Sequence, residues 1–337
     1  MQPLKNDRIF PFATLGLRMK TEAFQLSLEP LIQQQYHRNP WFTPDACKQS
    51  LLFAGEMIDE DYLKLKFNHD LPSLPARTVG IVPDGRIPMS AFPDMLCVVL
   101  MGFDCVVKLH PKDDVLLPAI IQELETLEPM LRGHMRVVDK LPPCDAVIVR
   151  EMEEGKSIWE QYLHHIPHLL SPVQQSVAWL TGRETEEELR HLAADMVLFF
   201  GRARQSVRTI LAPEGYDFVP LLQAILAQSS NIQHHNQLLN HLDYQKSIRL
   251  MSKQYYMDAG TFLLAEDTQE IAPTGVIRYV YYQHPSSVHP WLHERKDTIY
   301  AVEGQGFDGM DVQPLGTVYT DRDLWLDTTI HFLQTIG

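Results

Sequence analysis

The chain has 337 residues, 45% hydrophobic and 21% charged, which is enough for two packed units and too apolar for a mainly disordered protein. Its formal net charge of -14 opposes a nucleic-acid surface, where Lys and Arg must neutralise phosphates. No run of about twenty apolar residues occurs, and no apolar core follows the N-terminal charges, so neither a membrane span nor a signal peptide is expected and a cytoplasmic protein is.

In chain order, helical patterns come first, over Ala23 to Tyr36 and Ser50 to Phe67, with Trp41 and Phe42 between them. The Pro-rich stretch Leu71 to Arg77 ends this helical preface. Strands are then predicted near Thr78 to Val82, Cys105 to Leu109, Met135 to Val138 and Asp145 to Val149. Helices are predicted between and after them, near Ser90 to Met101, Asp114 to Met130 and Trp159 to His164. A second alternating set starts near Thr185, where Thr-Glu-Glu-Glu is a capping-box-like helix opening. That helix leads into a turn, then a strand at Val207 to Ala212, helices at Val219 to Ala227 and Asn236 to Met251, and strands at Thr261 to Glu266 and Val276 to Gln283. Apolar strands separated by amphipathic helices predict an α/β protein with mostly parallel sheets covered on both faces.

Cys47, Cys97, Cys105 and Cys144 show no CxxC or metal-type spacing and read as reduced, structural thiols. Cys97 and Cys105 sit in apolar runs and are expected to be buried, whereas Cys144 follows Pro142 and Pro143 in a loop. His164-His165 and His234-His235 cannot each grip one ion, because adjacent helical residues diverge by about 100°. His234 and His241 share a face but lack a third ligand, so no metal site is expected. Glu184, Glu186, Glu187 and Glu188 read as helix-start acids favoured by the macrodipole. The glycines of Gly304 to Asp311 lack the strand and helix context of a phosphate loop, and the stripe Tyr279, Tyr281 and Tyr282 reads as core or interface.

The stretch Phe199 to Phe218, FFGRARQSVRTILAPEGYDF, ends in PEGYDF and carries Phe-Gly before its turn. Together with NPWFT (Asn39 to Thr43), TVGIVPDGRIPMSAFPDML (Thr78 to Leu96), CVVKLHPKDDVLLPAI (Cys105 to Ile120), SVAWLTGRETEEEL (Ser176 to Leu189) and GQGFDGMDVQPLG (Gly304 to Gly316), it resembles the acyl-CoA reductases of the LuxC type. These are a branch of the aldehyde dehydrogenase superfamily. The resemblance implies an aldehyde dehydrogenase-like α/β fold of two doubly wound parallel-sheet domains facing a cleft, with a helical N-terminal preface. It places residues 1–77 as a helical segment packed on the cofactor domain, 78–184 as that Rossmann-like domain, completed by about 317–337, and 185–316 as the catalytic-type domain. It further implies NADPH as cofactor, with Lys108 meeting the adenosine ribose and Gly85, Ile87 and Pro88 in the turn that the family writes Gly-Asn-Ile-Pro.

In that family a Cys takes the acyl group from coenzyme A as a thioester, which then accepts hydride from NADPH to leave as an aldehyde. Aligned on Phe200 to Val207, this chain has Arg204 where the family has its Cys. Arginine stays protonated and offers only donors, so it cannot form the intermediate. Ser206 lies two residues on, but a hydroxyl needs a positioned base and none is beside it. Arg150-Glu151-Met152-Glu153, followed by Glu154, stand where the family has a Thr-Gly-Ser-type turn, and carboxylates there oppose a phosphate. Arg86 replaces the Asn of Gly-Asn-Ile-Pro. The expectation is a pseudoenzyme with a binding or scaffold role, whose partners are an acyl-CoA or other anionic small molecule, another copy of the chain, or an active paralogue. Two alternatives stay open: an active oxidoreductase using Cys144 or Ser206, and a sensor of an anion or coenzyme A-derived ligand held by Arg202 and Arg204.

Overall fold

The structure is a computed structural model that describes residues 5–67, 77–152, 156–266, 271–304 and 312–336. Most of the Pro-rich stretch, Glu153, Glu154 and most of the glycine segment after Gly304 lie outside the described residues. The chain divides into two compact units, residues 1–172 with 322–337, and residues 173–321.

The first unit opens with α1 (Lys5–Met19), α2 (Glu22–Ser27), α3 (Glu29–Arg38), α4 (Pro44–Met57) and α5 (Glu60–Lys66). The helix expected over 23–36 is broken at Leu28, where Pro30 enters the first turn of α3, a place with no helical N–H bond to lose. The one expected over 50–67 is broken at Asp59, whose carboxylate accepts from the Tyr62 amide at 3.1 Å and caps α5. After these come β1 (Thr78–Val82), α6 (Phe92–Leu100), β2 (Asp104–Val107), α7 (Leu116–Leu127), β3 (Met135–Val137), β4 (Ala146–Met152), α8 (Lys156–Leu163) and β5 (His168–Pro172). The strands form one parallel sheet in the order β3-β2-β1-β4-β5. The order reverses between β1 and β4, so their carboxyl ends flank the crevice where open α/β sheets bind ligands.

The C-terminal helix, Arg322–Ile336, belongs to this unit and packs on α6. A buried ionic cluster fastens it there. Arg150 of β4, 6% exposed, donates from Nε to Asp94 Oδ2 at 2.9 Å and from Nη2 to Oδ1 at 2.6 Å. It also donates to Ser171 of β5 and to Thr329 of the C-terminal helix, and Thr329 in turn donates to Asp94. Arg150 to Met152 therefore continue a strand, where the sequence reading had an altered turn. The physical reason is that the Asp94 carboxylate, 2% exposed, is stabilised by a bidentate cation, which the inward-facing Arg150 of β4 supplies.

The second unit contains β6 (Gln175–Trp179), α9 (Glu186–Val197), β7 (Val207–Pro213), α10 (Val219–Gln228), α11 (Asn236–Ser252), β8 (Met257–Asp258), β9 (Leu263–Glu266), β10 (Val276–Tyr282), α12 (Val288–Glu294) and β11 (Ile299–Gly304). Its sheet runs β11-β6-β7-β10-β9-β8 and is parallel except for the short β8 against β9. The division expected at 184/185 falls instead at Val173, because β6 hydrogen-bonds to β7 and β11. The return to the first unit begins at Arg322 and not at about 317. On one face, Leu192 and Met196 of α9 and Leu221 and Ile225 of α10 bury Ile210, Leu264 and Ile277. On the other, Val288 and Leu292 of α12 cover Val177, Trp179 and Leu211. No described helix is long and apolar enough to cross a membrane.

Replacing Arg150 by Met leaves the Asp94 carboxylate buried without its cation, and urea unfolding is expected to show a loss of about 3–5 kcal/mol. The double replacement Asp94→Leu with Arg150→Met is expected to be the milder of the two, because no charge then stays unpaired.

Candidate functional site

The turn singled out in the sequence follows α9 directly. Thr185 Oγ1 accepts from the Glu188 amide at 3.2 Å and Glu188 Oε2 accepts from the Thr185 amide at 2.7 Å, a reciprocal box that starts the helix. At its far end the chain makes a short 3-10 turn, Leu198–Gly201, in which three successive residues are left-handed: Phe199 (φ 51°), Phe200 (φ 61°) and Gly201 (φ 64°). For a non-glycine residue this costs about 1–3 kcal/mol. Burying each Phe ring contributes about 1.5–3 kcal/mol, which offsets it. Both rings are buried, Phe199 against Tyr319 at 5.8 Å and Phe200 against His235 at 4.4 Å between centroids. Gly201 has no such option, since a Cβ there would lie 3.1 Å from the Met196 carbonyl oxygen and 3.1 Å from the Phe262 ring.

Beneath the turn lies Arg208 of β7, which sequence reading passed over. Its guanidinium is buried and donates to the backbone carbonyls of Gly201, Ala272, Pro273 and Val276. An Arg inside the apolar strand sequence VRTILAP was the available signal.

Arg202, Arg204 and Ser206 are carried by this one turn. Arg204 is half-buried, and its guanidinium carbon stands 4.9 Å from the centre of the Tyr300 ring on β11. Such stacking holds the guanidinium plane while leaving its N–H edge for an acceptor. Among the described residues no carboxylate pairs with Arg204. Ser206 is fully buried, with its Oγ 2.7 Å from the Tyr319 hydroxyl. Burial pushes the Tyr319 hydroxyl well above its usual pKa, so it acts as a neutral donor and acceptor and not as a base.

Tyr319 is joined to a pair of buried acids, Asp195 of α9 and Glu303 of β11, which are 5% and 0% exposed. The Val318 amide donates to both, at 3.2 Å to Asp195 Oδ2 and 3.0 Å to Glu303 Oε1. The Gly316 and Thr317 amides also donate to Glu303, each at 3.2 Å. Burial raises the pKa of both carboxyls, and Asp195 beside Glu303 raises that of Glu303 further, so the pair holds a proton in preference to two negative charges.

The residues expected to meet a cofactor lie in the first unit. Gly85, Ile87 and Pro88 follow β1, and Lys108 follows the adjacent β2, its amide bonded to the Ile81 carbonyl at 2.9 Å. Gly85 is left-handed (φ 65°), and a Cβ there would run into His110 at 2.4 Å. The amides of this loop are already used: Gly85 donates to Ser90 Oγ, Arg86 to Asp84, and Met89 and Ser90 to the buried Asp113. Burial raises Asp113 to about 8. Those amides are directed at internal acceptors, two of them carboxyl groups, and Arg150 is turned inward, while Glu153 and Glu154 of the turn that the resemblance assigns to the phosphate lie outside the described residues.

All four cysteines lie in the first unit, so the unit carrying the turn has no thiol. Cys47, Cys97 and Cys105 are buried, and burial lifts their pKa values, Cys47 to about 12. Cys144 is half-buried, donates to the Pro142 carbonyl at 3.2 Å, and is raised by burial and then by Asp145.

Neither a protein-family model nor a curated protein matches the sequence. Solved structures do match. A betaine aldehyde dehydrogenase from Staphylococcus aureus in complex with NAD+ is similar with a TM-score of 0.64 at 11% identity, over 91% of this chain and 73% of that one. An NAD-dependent aldehyde dehydrogenase from Sinorhizobium meliloti gives 0.62 at 10% identity, over 96% and 72%. Aldehyde dehydrogenase 21 from Physcomitrella patens, in complex with the reaction product succinate, gives 0.63 at 8% identity, over 91% and 74%. The chain therefore has an aldehyde dehydrogenase-like fold, and at these identities the likeness concerns the fold alone.

Thiol labelling of the folded protein at neutral pH is expected to modify Cys144 first and slowly, and the other three only on unfolding. Rapid labelling of any thiol below about pH 7 would show an activated cysteine and contradict this geometry.

Proposed function

We propose that this chain is an acyl-CoA reductase-like protein of the aldehyde dehydrogenase fold that has lost thioester chemistry and binds its ligand without turning it over. The observation that carries the proposal is Arg204. It occupies the turn where the LuxC-type resemblance puts a nucleophilic Cys, in a unit without any thiol, and it presents a guanidinium stacked on Tyr300. A guanidinium in that position recognises an oxyanion, such as a carboxylate or a phosphate of coenzyme A, through paired N–H donors. Ser206 takes a structural role in this reading, because its hydroxyl is enclosed with that of Tyr319 and has no base among the described residues. The first unit keeps Lys108 at the end of β2, but the occupied loop amides make tight NADPH binding unexpected.

The test is a thermal-shift titration with NADPH, coenzyme A and a long-chain acyl-CoA, paired with an NADPH-oxidation assay. A ligand present at about a hundred times its Kd adds about 2.7 kcal/mol, a rise of several degrees. Stabilisation by coenzyme A or the acyl-CoA that disappears in Arg204→Gln, with no NADPH oxidation, is the expected result. Oxidation accompanied by aldehyde release would sink the proposal.

A further inference from the structure

Sequence patterns on α9 and β11 look ordinary, yet the fold brings one acid from each to the same buried amide, that of Val318. Two buried carboxyl groups in contact cannot both ionise, so they hold a proton between them. The segment they bind continues without a break into Tyr319, whose hydroxyl meets Ser206 at 2.7 Å, approaches the Leu198 carbonyl at 3.5 Å, and whose ring packs on Phe199. A continuous chain of contacts thus runs from the acid pair through 316–319 to both ends of the turn that presents Arg204.

We infer that the Asp195–Glu303 pair is a proton-held latch: with its proton it pins residues 316–319, and through Tyr319 the Arg204 turn, and without it the turn is released. As regulation, this rests on the reading of that turn as the ligand-holding element; the latch itself does not. The groups that face it are few. From α9, His191 acts on Asp195, and from β7, Arg208 acts on Tyr319 but is committed to four backbone carbonyls. On the 316–319 side the partners are backbone amides and the Tyr319 hydroxyl. No Lys or Arg is hydrogen-bonded to either acid among the described residues, so the second negative charge has no directly paired cation to receive it.

The sign follows from linkage. A carboxyl whose pKa is raised on folding contributes stability that is complete below its unfolded value and is lost as pH rises through its folded value. The latch is therefore closed in acid and opens in alkali. Nothing else in the turn needs to titrate for this to happen.

Amide hydrogen exchange of the unliganded full chain, from about pH 6 to about pH 9, tests the latch directly. After correction for the intrinsic rise with pH, exchange in residues 198–206 and 312–319 is expected to increase roughly three- to tenfold, the loss of about one net hydrogen bond. In Glu303→Gln, whose amide donates to Asp195 without a titrating proton, both segments are expected to stay flat. Should that variant fail to fold, Asp195→Asn carries the same expectation. In Tyr319→Phe the response is expected to persist in 312–319 and vanish from 198–206. A wild-type turn with no excess rise, or an equal rise in the Gln or Asn variant, would overturn the inference. Because no ligand is added, failure of ligand binding at Arg204 leaves this result unaffected.

Discussion

One buried cation holds the turn on which this account depends. Arg208 rises from β7 and places its buried guanidinium on the backbone carbonyls of Gly201, Ala272, Pro273 and Val276. A buried guanidinium is costly unless its donors are filled, and carbonyl dipoles that cannot move away fill them. The consequence is that Gly201 stays left-handed and the two preceding Phe residues are carried into the core against their backbone preference. Arg204 is then presented from a fixed backbone, where its contact with Tyr300 orients the side chain.

The same economy of long-range polar contacts closes each unit. In the first, Asp94 and Arg150 bring a helix from the end of the chain onto the sheet through Thr329. In the second, Asp195 and Glu303 gather 316–318 and settle where the second unit ends. None of these groups needs a thiol or a nucleotide to be satisfied. A fold secured in this way can outlast the chemistry that it resembles, which is why likeness of fold supports activity so weakly here.

Much of the architecture was legible because it is local. The Thr185 to Glu188 box and the apolar strands Val79 to Ile81 and Val207 to Ala212 all follow from short-range rules. The aldehyde dehydrogenase-like α/β fold, read from motif resemblance, agrees with the solved structures that the chain matches. What escaped depends on partners distant in sequence. Arg150 reads as part of an altered loop until Asp94 is known to lie buried beside it, and nothing in the sequence singles out Asp195 until Glu303 is placed against it. The assignment of β6 to the second sheet is likewise a matter of pairing, to which composition is blind. Tyr300 and Tyr319 carried no signal at all beyond their being aromatic.

The proposed loss of thioester chemistry requires that no group in this chain accept an acyl chain covalently. Intact-mass spectrometry of the full protein after incubation with a long-chain acyl-CoA tests it most directly, with Arg204→Cys as the reference for a restored thiol. The account predicts an unchanged mass for the natural sequence even at saturating acyl-CoA. A stoichiometric acyl adduct on the natural sequence, mapped to Cys144, Ser206 or any other side chain, would contradict it.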